Sequence, residues 1–114
     1  MELFKRGDIY WINLNPAEGS EIAKTRPAVI VSNDINNKFA DTVTIVPLTT
    51  STENIYPFEV FIEKNTANLK EDSKAKANQI RTVDKKRLKE RIGSLPEVLF
   101  EQIVKAIKIH LDII

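Results

Sequence analysis

The sequence predicts an α+β domain, mainly β, in which a small, strongly curved antiparallel sheet or barrel carries short helices and one C-terminal helix. Three observations lead there. Segments of strand length, rich in aromatic and β-branched residues, occupy residues 8–83. Polar stretches bearing Asn, Asp, Pro and Gly separate them. Past Val83 the apolar residues change to the three-and-four spacing of helices, and strands followed by a helical segment are the α+β pattern. With 114 residues and no repeat, low-complexity run or linker, the chain reads as one domain, 1–114.

The elements follow in order. "DIYWINL" (Asp8 to Leu14) reads as the first strand, stopped by a turn at Asn15 and Pro16, with Trp11 expected in the core. "PAVIVS" (Pro27 to Ser32) and "TVTIVPL" (Thr42 to Leu48) are short unbroken apolar runs, the pattern of core strands, and "NDINNKFAD" between them is loop or a helical turn. Pro47 cannot donate to a ladder and so predicts an edge or a bulge near the end of the third strand. "PFEVFI" (Pro57 to Ile62) puts Phe58, Val60 and Ile62 on one face, and "AKANQIRTV" (Ala75 to Val83) gives a last strand. Two helices are expected after it, "DKKRLKER" and "SLPEVLFEQIVKAIKIHLDII". The second opens with Ser94 and Glu97 in capping-box spacing and Pro96 in the first turn. Its stripe of Leu99, Ile103, Ile107, Leu111 and Ile114 is expected to be buried, with Glu101, Lys105, Lys108 and Asp112 wet. Ile109 and Ile113 widen the apolar side, as a deep core contact or a partner surface.

Composition narrows the function. There is no cysteine, which excludes disulfides and thiolate metal sites and suits a reducing cytoplasm. No apolar run reaches the roughly 18 residues of a membrane helix, and "MELFKRGDIYW" lacks the apolar stretch of a signal peptide. A soluble cytoplasmic protein is expected. Seventeen Lys and Arg against 16 Asp and Glu leave a net charge of +1, so any nucleic-acid site has to be a local patch.

Candidate chemistry emerges by elimination. His110 is the sole histidine, lies among apolar neighbours in the last helix and is expected to be a partly buried structural residue, so no histidine pair is available for acid and base work. The carboxylates show no metal-ligand spacing, and Gly7, Gly19 and Gly93 make no phosphate loop. No metal and no cofactor is expected. What remains is a set of polar residues on loops beside strand ends: Ser20, Glu21, Thr25, Arg26, Thr49, Thr50, Asn78 and Gln79. Taken singly, each is also an ordinary surface or strand-end residue. "KKRLKER" (Lys85 to Arg91), with Asp84 and Glu90, reads first as a solvated helical face, while Lys24, Lys38 and Lys76 are placed nearer a groove, where they would screen phosphates.

Four blocks in order, "RGDIYWINLNPAEGSEIAKTRPAVIVSND", "VTIVPLTTS", "YPFEV" and "NQIRTVDKKRL", resemble the MazF/PemK family of toxin endoribonucleases from Arg6 through the terminal helix. The resemblance implies an SH3-like antiparallel barrel of the MazF–CcdB type and a homodimer. It also implies the toxin of a type II toxin–antitoxin system: an mRNA interferase that cuts single-stranded RNA, arrests growth and translation, and is held inactive by a MazE-like antitoxin.

By position, the resemblance assigns cleavage to Arg26 and Thr49. Pro27 fixes the backbone just after Arg26, whose planar guanidinium suits a phosphate held by two parallel hydrogen bonds. The ribose 2′-OH would be the nucleophile, leaving a 2′,3′-cyclic phosphate and a 5′-OH end with no metal required. Arginine is a poor base at neutral pH. Several family members carry an acid where this chain has Asn78, and an amide cannot take the proton; Glu21 is the remaining carboxylate for base or positioning. Ser20, Thr25, Thr50, Asn78 and Gln79 are expected to contact RNA, Gln79 by reading a base edge or positioning backbone. Two other classes stay open at this point: a non-catalytic gyrase-binding toxin like CcdB, since fold alone does not fix function, and an SH3-like peptide-binding module.

Overall fold

The computed structural model describes residues 3–114. Its strands are β1 (Asp8–Asn13), β2 (Thr25–Ile30), β3 (Thr42–Thr49), β4 (Glu59–Ile62), β5 (Ser73–Lys76), β6 (Arg81–Asp84) and β7 (Leu88–Ser94). The helices are α1 (Asp34–Phe39), between β2 and β3, and α2 (Glu97–Leu111), after β7. Short 3₁₀ turns cover Thr66–Asn68, Ala77–Gln79 and Lys85–Arg87. All seven strands form one antiparallel sheet in the order β4-β5-β3-β2-β1-β7, with β6 branching from β3.

The unbroken apolar runs of β2 and β3 have a simple cause: both faces of the sheet are covered. Ile9, Val29, Val46, Leu48, Val60 and Ile62 point to one core, which α2 closes with Phe100, Ile103 and Ala106. Tyr10, Ile12, Ala28, Ile30, Val43 and Ile45 point to the other, completed by Leu14, Val83 and Leu88. Among the described residues no helix side chain belongs to that second core, so the strands must curl over it themselves. The path β7-β1-β2-β3-β6 comes round to the Lys85–Arg87 turn, which joins β6 to β7 along the chain; among the described residues no ladder joins those two strands, and the sheet is not a closed barrel. Ile9, Ile12, Ile30, Ile45 and Ile103 have no exposed surface, each burial stabilising by about 1.5–3 kcal/mol.

Several expectations are corrected. Residues 75–83 are not one strand but β5, a 3₁₀ turn and β6, because β3 pairs with β6 at Thr42–Ile45 and with β5 at Leu48–Thr49. Pro47 therefore marks neither edge nor bulge; it sits opposite Ala28, where β3 passes from one partner to the other and a missing donor matters least. "DKKRLKER" is a 3₁₀ turn and the start of β7, since pairing with β1 outweighs the helical pattern. Asp8, 5% exposed, anchors that pairing: it accepts from Ser94 Oγ at 2.6 Å and from Arg91 at 3.3 and 3.4 Å, beside the register shift between Ile9 and Tyr10. Its carboxylate raises the Arg91 pKa above the ordinary arginine value.

Ser94 is thus spent on Asp8, and α2 begins after Pro96 with no capping box. The buried side of α2 is Phe100, Ile103 and Ala106, with Leu99 and Ile107 half-buried, whereas Ile109, Leu111, Ile113 and Ile114 are exposed. His110 is exposed too. Trp11 lies at the surface, 42% exposed: alternation puts it on the face of Ile9, but it is not among the residues of the core that α2 closes. The segment between β2 and β3 is a helix, capped by Asn33 accepting from the Asn36 N–H at 2.8 Å. Gly93 is required by close approach, since a Cβ there would lie 2.5 Å from the Ala67 carbonyl oxygen. Ile103→Ala should lower unfolding stability by about 2–5 kcal/mol in urea titrations, while Glu101→Ala on the wet face of α2 should stay within about 0.5 kcal/mol.

Candidate active site

Arg26 is the second residue of β2, opposite Ile12 of β1. The β2–β3 register runs Ile30↔Ile45, Val29↔Val46 and Ala28↔Pro47. Continued two residues, it brings Arg26 opposite Thr49, the last residue of β3. Strand alternation then sends both side chains to the same face. Both are half-buried. The Arg26 Nε donates to the Ala23 carbonyl at 3.2 Å, which aims the fork and leaves its terminal amino groups for a ligand. The Thr49 Oγ1 accepts from the Ser51 N–H at 3.2 Å, so the hydroxyl proton remains available to donate.

Beside this sheet end runs the 14–24 loop that joins β1 to β2. Its backbone is held from both sides by side chains that come much later in the sequence. Gln79 Oε1 accepts from the Ile22 N–H and its Nε2 donates to the Ser20 carbonyl, each at 3.3 Å, so Gln79 positions loop backbone. Arg81 donates to the Leu14 carbonyl at 3.3 Å, and Arg87 to the carbonyls of Asn13, at 3.1 Å, and Asn15. Within the loop, Glu21 Oε1 accepts from the Glu18 N–H at 2.6 Å, an exposed turn contact. Ser20, Thr25 and Thr50 are exposed. Asn78 is half-buried, and its Oδ1 is a buried acceptor with no hydrogen-bond partner.

The lysines fare differently. Lys24 lies in the same loop, with its N–H on Asn15 Oδ1 at 2.9 Å. Lys76 is 4.0 Å from Glu59 and partly engaged there. Lys38 is on α1, at the opposite end of β2 and β3 from Arg26 and Thr49, against the Phe39 ring. Lys85 likewise donates to the Asn37 carbonyl of α1, at 2.6 Å. Of the basic cluster at 85–91, Lys85, Arg87 and Arg91 are therefore engaged in structural contacts, while Lys86 and Lys89 are exposed.

Sequence reasoning missed the scaffolding cations. Arg81 and Arg87 serve backbone carbonyls some 70 residues away, and Lys74 forms a buried ion pair with Glu59 at 3.0 Å. No local spacing signals either arrangement; the one available cue was a pair of opposite charges in two adjacent short strands, "FEVF" and "SKAK".

Comparison with known proteins gives a consistent picture. Residues 5–111 match the family model of the PemK-like, MazF-like toxin of type II toxin-antitoxin system. The chain is 40% identical over 116 residues to Endoribonuclease MazF9 of Mycobacterium tuberculosis (strain ATCC 25618 / H37Rv), covering 97% of this chain and 98% of that one. It is 39% identical over 112 residues to Endoribonuclease MazF of Staphylococcus epidermidis, covering 97% and 93%. Among solved structures, MazF of Deinococcus radiodurans shares the fold with a TM-score of 0.86 at 22% identity, over 98% of this chain and 99% of that one. An endoribonuclease from a mycobacterial species, in complex with its cognate antitoxin, shares it with a TM-score of 0.79 at 24% identity, over 96% of each. If Gln79 clamps the loop as described, Gln79→Ala should raise hydrogen exchange at the Ile22 amide by about 5- to 10-fold, the worth of one hydrogen bond of ~1 kcal/mol.

Proposed function

The chain belongs to the PemK-like, MazF-like toxins of type II toxin–antitoxin systems, and we propose that it cleaves single-stranded RNA with Arg26 and Thr49 at the scissile phosphate. It is an RNA-cleaving enzyme of that family, like the endoribonucleases it matches along 97% of its length. What supports the assignment is the β2–β3 register, Ala28↔Pro47 to Ile30↔Ile45, which, continued two residues, brings Arg26 opposite Thr49, the last residue of β3. The gyrase-binding and peptide-binding readings make no use of this pair and yield no cut ends.

In the proposed reaction the ribose 2′-OH gives up its proton as its oxygen attacks the adjacent phosphorus, the new O2′–P bond replaces the P–O5′ bond, and the leaving 5′-oxygen takes a proton from water, so that a 2′,3′-cyclic phosphate and a 5′-OH result. Arg26 supplies two parallel donors and a permanent positive charge to the phosphate oxygens as negative charge builds. Thr49 donates its hydroxyl to the same group. The 2′-OH proton needs an acceptor; Asn78 has none to offer as an amide, and Glu21, on the loop that Gln79 holds, is the carboxylate assigned to it. Asn78, half-buried beside Gln79, is assigned an RNA contact through its side-chain amide; its Oδ1, buried and unpaired as it stands, has to turn outward to make it.

The setting follows from the same reading. RNA is met in the cytoplasm, and among the described residues no helix is long and apolar enough to cross a membrane. Exposed Ile109, Leu111, Ile113 and Ile114 support a homodimer. A cognate MazE-like antitoxin would compete for the cationic groove with acidic residues.

Purified protein should cut single-stranded RNA in EDTA, and a deoxyribose 5′ to the scissile bond should abolish the cut. A requirement for added Mg²⁺ would sink this mechanism. Arg26→Ala and Thr49→Ala should each lose at least ~10²-fold in rate, with native circular dichroism; wild-type rates from both folded variants would show the site to be misplaced.

A further inference from the structure

The strongest unassigned cluster in the molecule is an ion pair buried under the loop that follows Thr49. Lys74 Nζ is 3.0 Å from Glu59 Oε1, and the two side chains are 9% and 2% exposed. Lys76 reaches the other carboxylate oxygen at 4.0 Å. Two backbone groups of the 50–58 loop end on this pair: Lys74 Nζ donates to the Asn54 carbonyl at 2.7 Å, and the Tyr56 N–H donates to Glu59 Oε1 at 3.0 Å. The Tyr56 ring lies 5.8 Å from Lys74 Nζ and stacks on Phe58 with centroids 5.6 Å apart. On β5, Lys74 is the cross-strand partner of Thr49 itself.

We propose that Lys74 and Glu59 are positioning residues for RNA cleavage, holding the 50–58 loop, and through it the Thr49 hydroxyl, in register with the phosphate. The inference rests on Thr49 acting at that phosphate. Its physical basis is an imbalance. A buried ion pair is a poor source of stability, because desolvating two charges offsets most of their attraction and an apolar pair of similar size often does as well. Fixed geometry is what it supplies in return. The loop is pinned at Asn54 and Tyr56 by the pair, and at Ser51 by the bond to Thr49 Oγ1, so the hydroxyl and the loop share one set of restraints. Lys74 is too buried to meet phosphate directly, and it donates to Glu59 and to the Asn54 carbonyl.

The test separates stability from positioning. Lys74→Met alone strands a buried carboxylate and should lower the melting temperature by roughly 10 °C or more. The double variant Glu59→Gln/Lys74→Met keeps the net charge, leaves no buried ion and should recover most of that loss. It should nevertheless cleave RNA with kcat reduced at least ~10-fold, since a displacement near 1 Å can cost ~10²-fold, and its Tyr56 amide should exchange faster. The dependence of RNA affinity on salt should be unchanged, as no phosphate contact is removed; a shallower slope would make Lys74 an RNA ligand and overturn the proposal. So would a folded double variant with wild-type kcat and cut sites, or with wild-type exchange at Tyr56. Should the double variant fail to fold, the near-isosteric Glu59→Gln is read by the same three measurements. Wild-type protein that leaves RNA intact would overturn the catalytic reading itself, an outcome distinct from any of these.

Discussion

A strand with apolar side chains on both faces must be covered on both, and in this chain that demand falls on β3. Val43 and Ile45 face the core inside the curl, while Val46 and Leu48 face the core under α2. One helix can cover only one side. The sheet therefore bends over the other, and β3 changes partner midway, from β6 to β5, with Pro47 at the change. Because β3 is shared, its last residue emerges where both layers end. Thr49 sits at that rim, where the continued β2–β3 register brings it toward Arg26 near the start of β2.

This arrangement explains how the polar residues are used. The rim exposes backbone groups that no ladder pairs, and long cationic side chains satisfy them: Arg81 and Arg87 on the carbonyls of 13–15 and Lys74 on Asn54; at the other end of the strands Lys85 does the same for Asn37. A near-neutral composition can thus hide how few cations are free for a polyanion, because several are already committed to the scaffold. Arg26 is different in kind: only its Nε is engaged, by a carbonyl three residues away.

The sequence made part of this legible. The strand segments near 8–14, 27–32, 42–48 and 57–62 were readable because β-branched and aromatic runs of that length have few other uses, and the catalytic candidates Arg26 and Thr49 were readable because they sit in blocks whose order resembles a known family. What was not readable depended on distant pairing. Lys85–Arg91 has helical spacing, yet becomes turn and strand because β1 offers an open edge. Ser94 looks like a cap until Asp8 is brought beside it. Trp11 is a core candidate by type, and only the reach of the helix-covered core, which takes Ile9 on the same face but not Trp11, leaves it exposed. The Glu59–Lys74 pair needed the β4–β5 ladder, in which each charge lies one strand away from the other.

The order in which these contacts become available during synthesis has its own significance. The first strand meets its second neighbour through Asp8 and Ser94, 86 residues apart, and the loop beside Arg26 is clamped from residues 57 to 74 positions downstream. Chains are made from the N-terminus and fold as units once their partners have emerged. A nascent chain that already contains Arg26 and Thr49 has neither the clamp on its loop nor the edge strand that closes the curl. The site proposed there can be ordered only once residues 79–94 have emerged and paired, so a chain of this RNA-cleaving family lacks that order while its first eighty residues are being made.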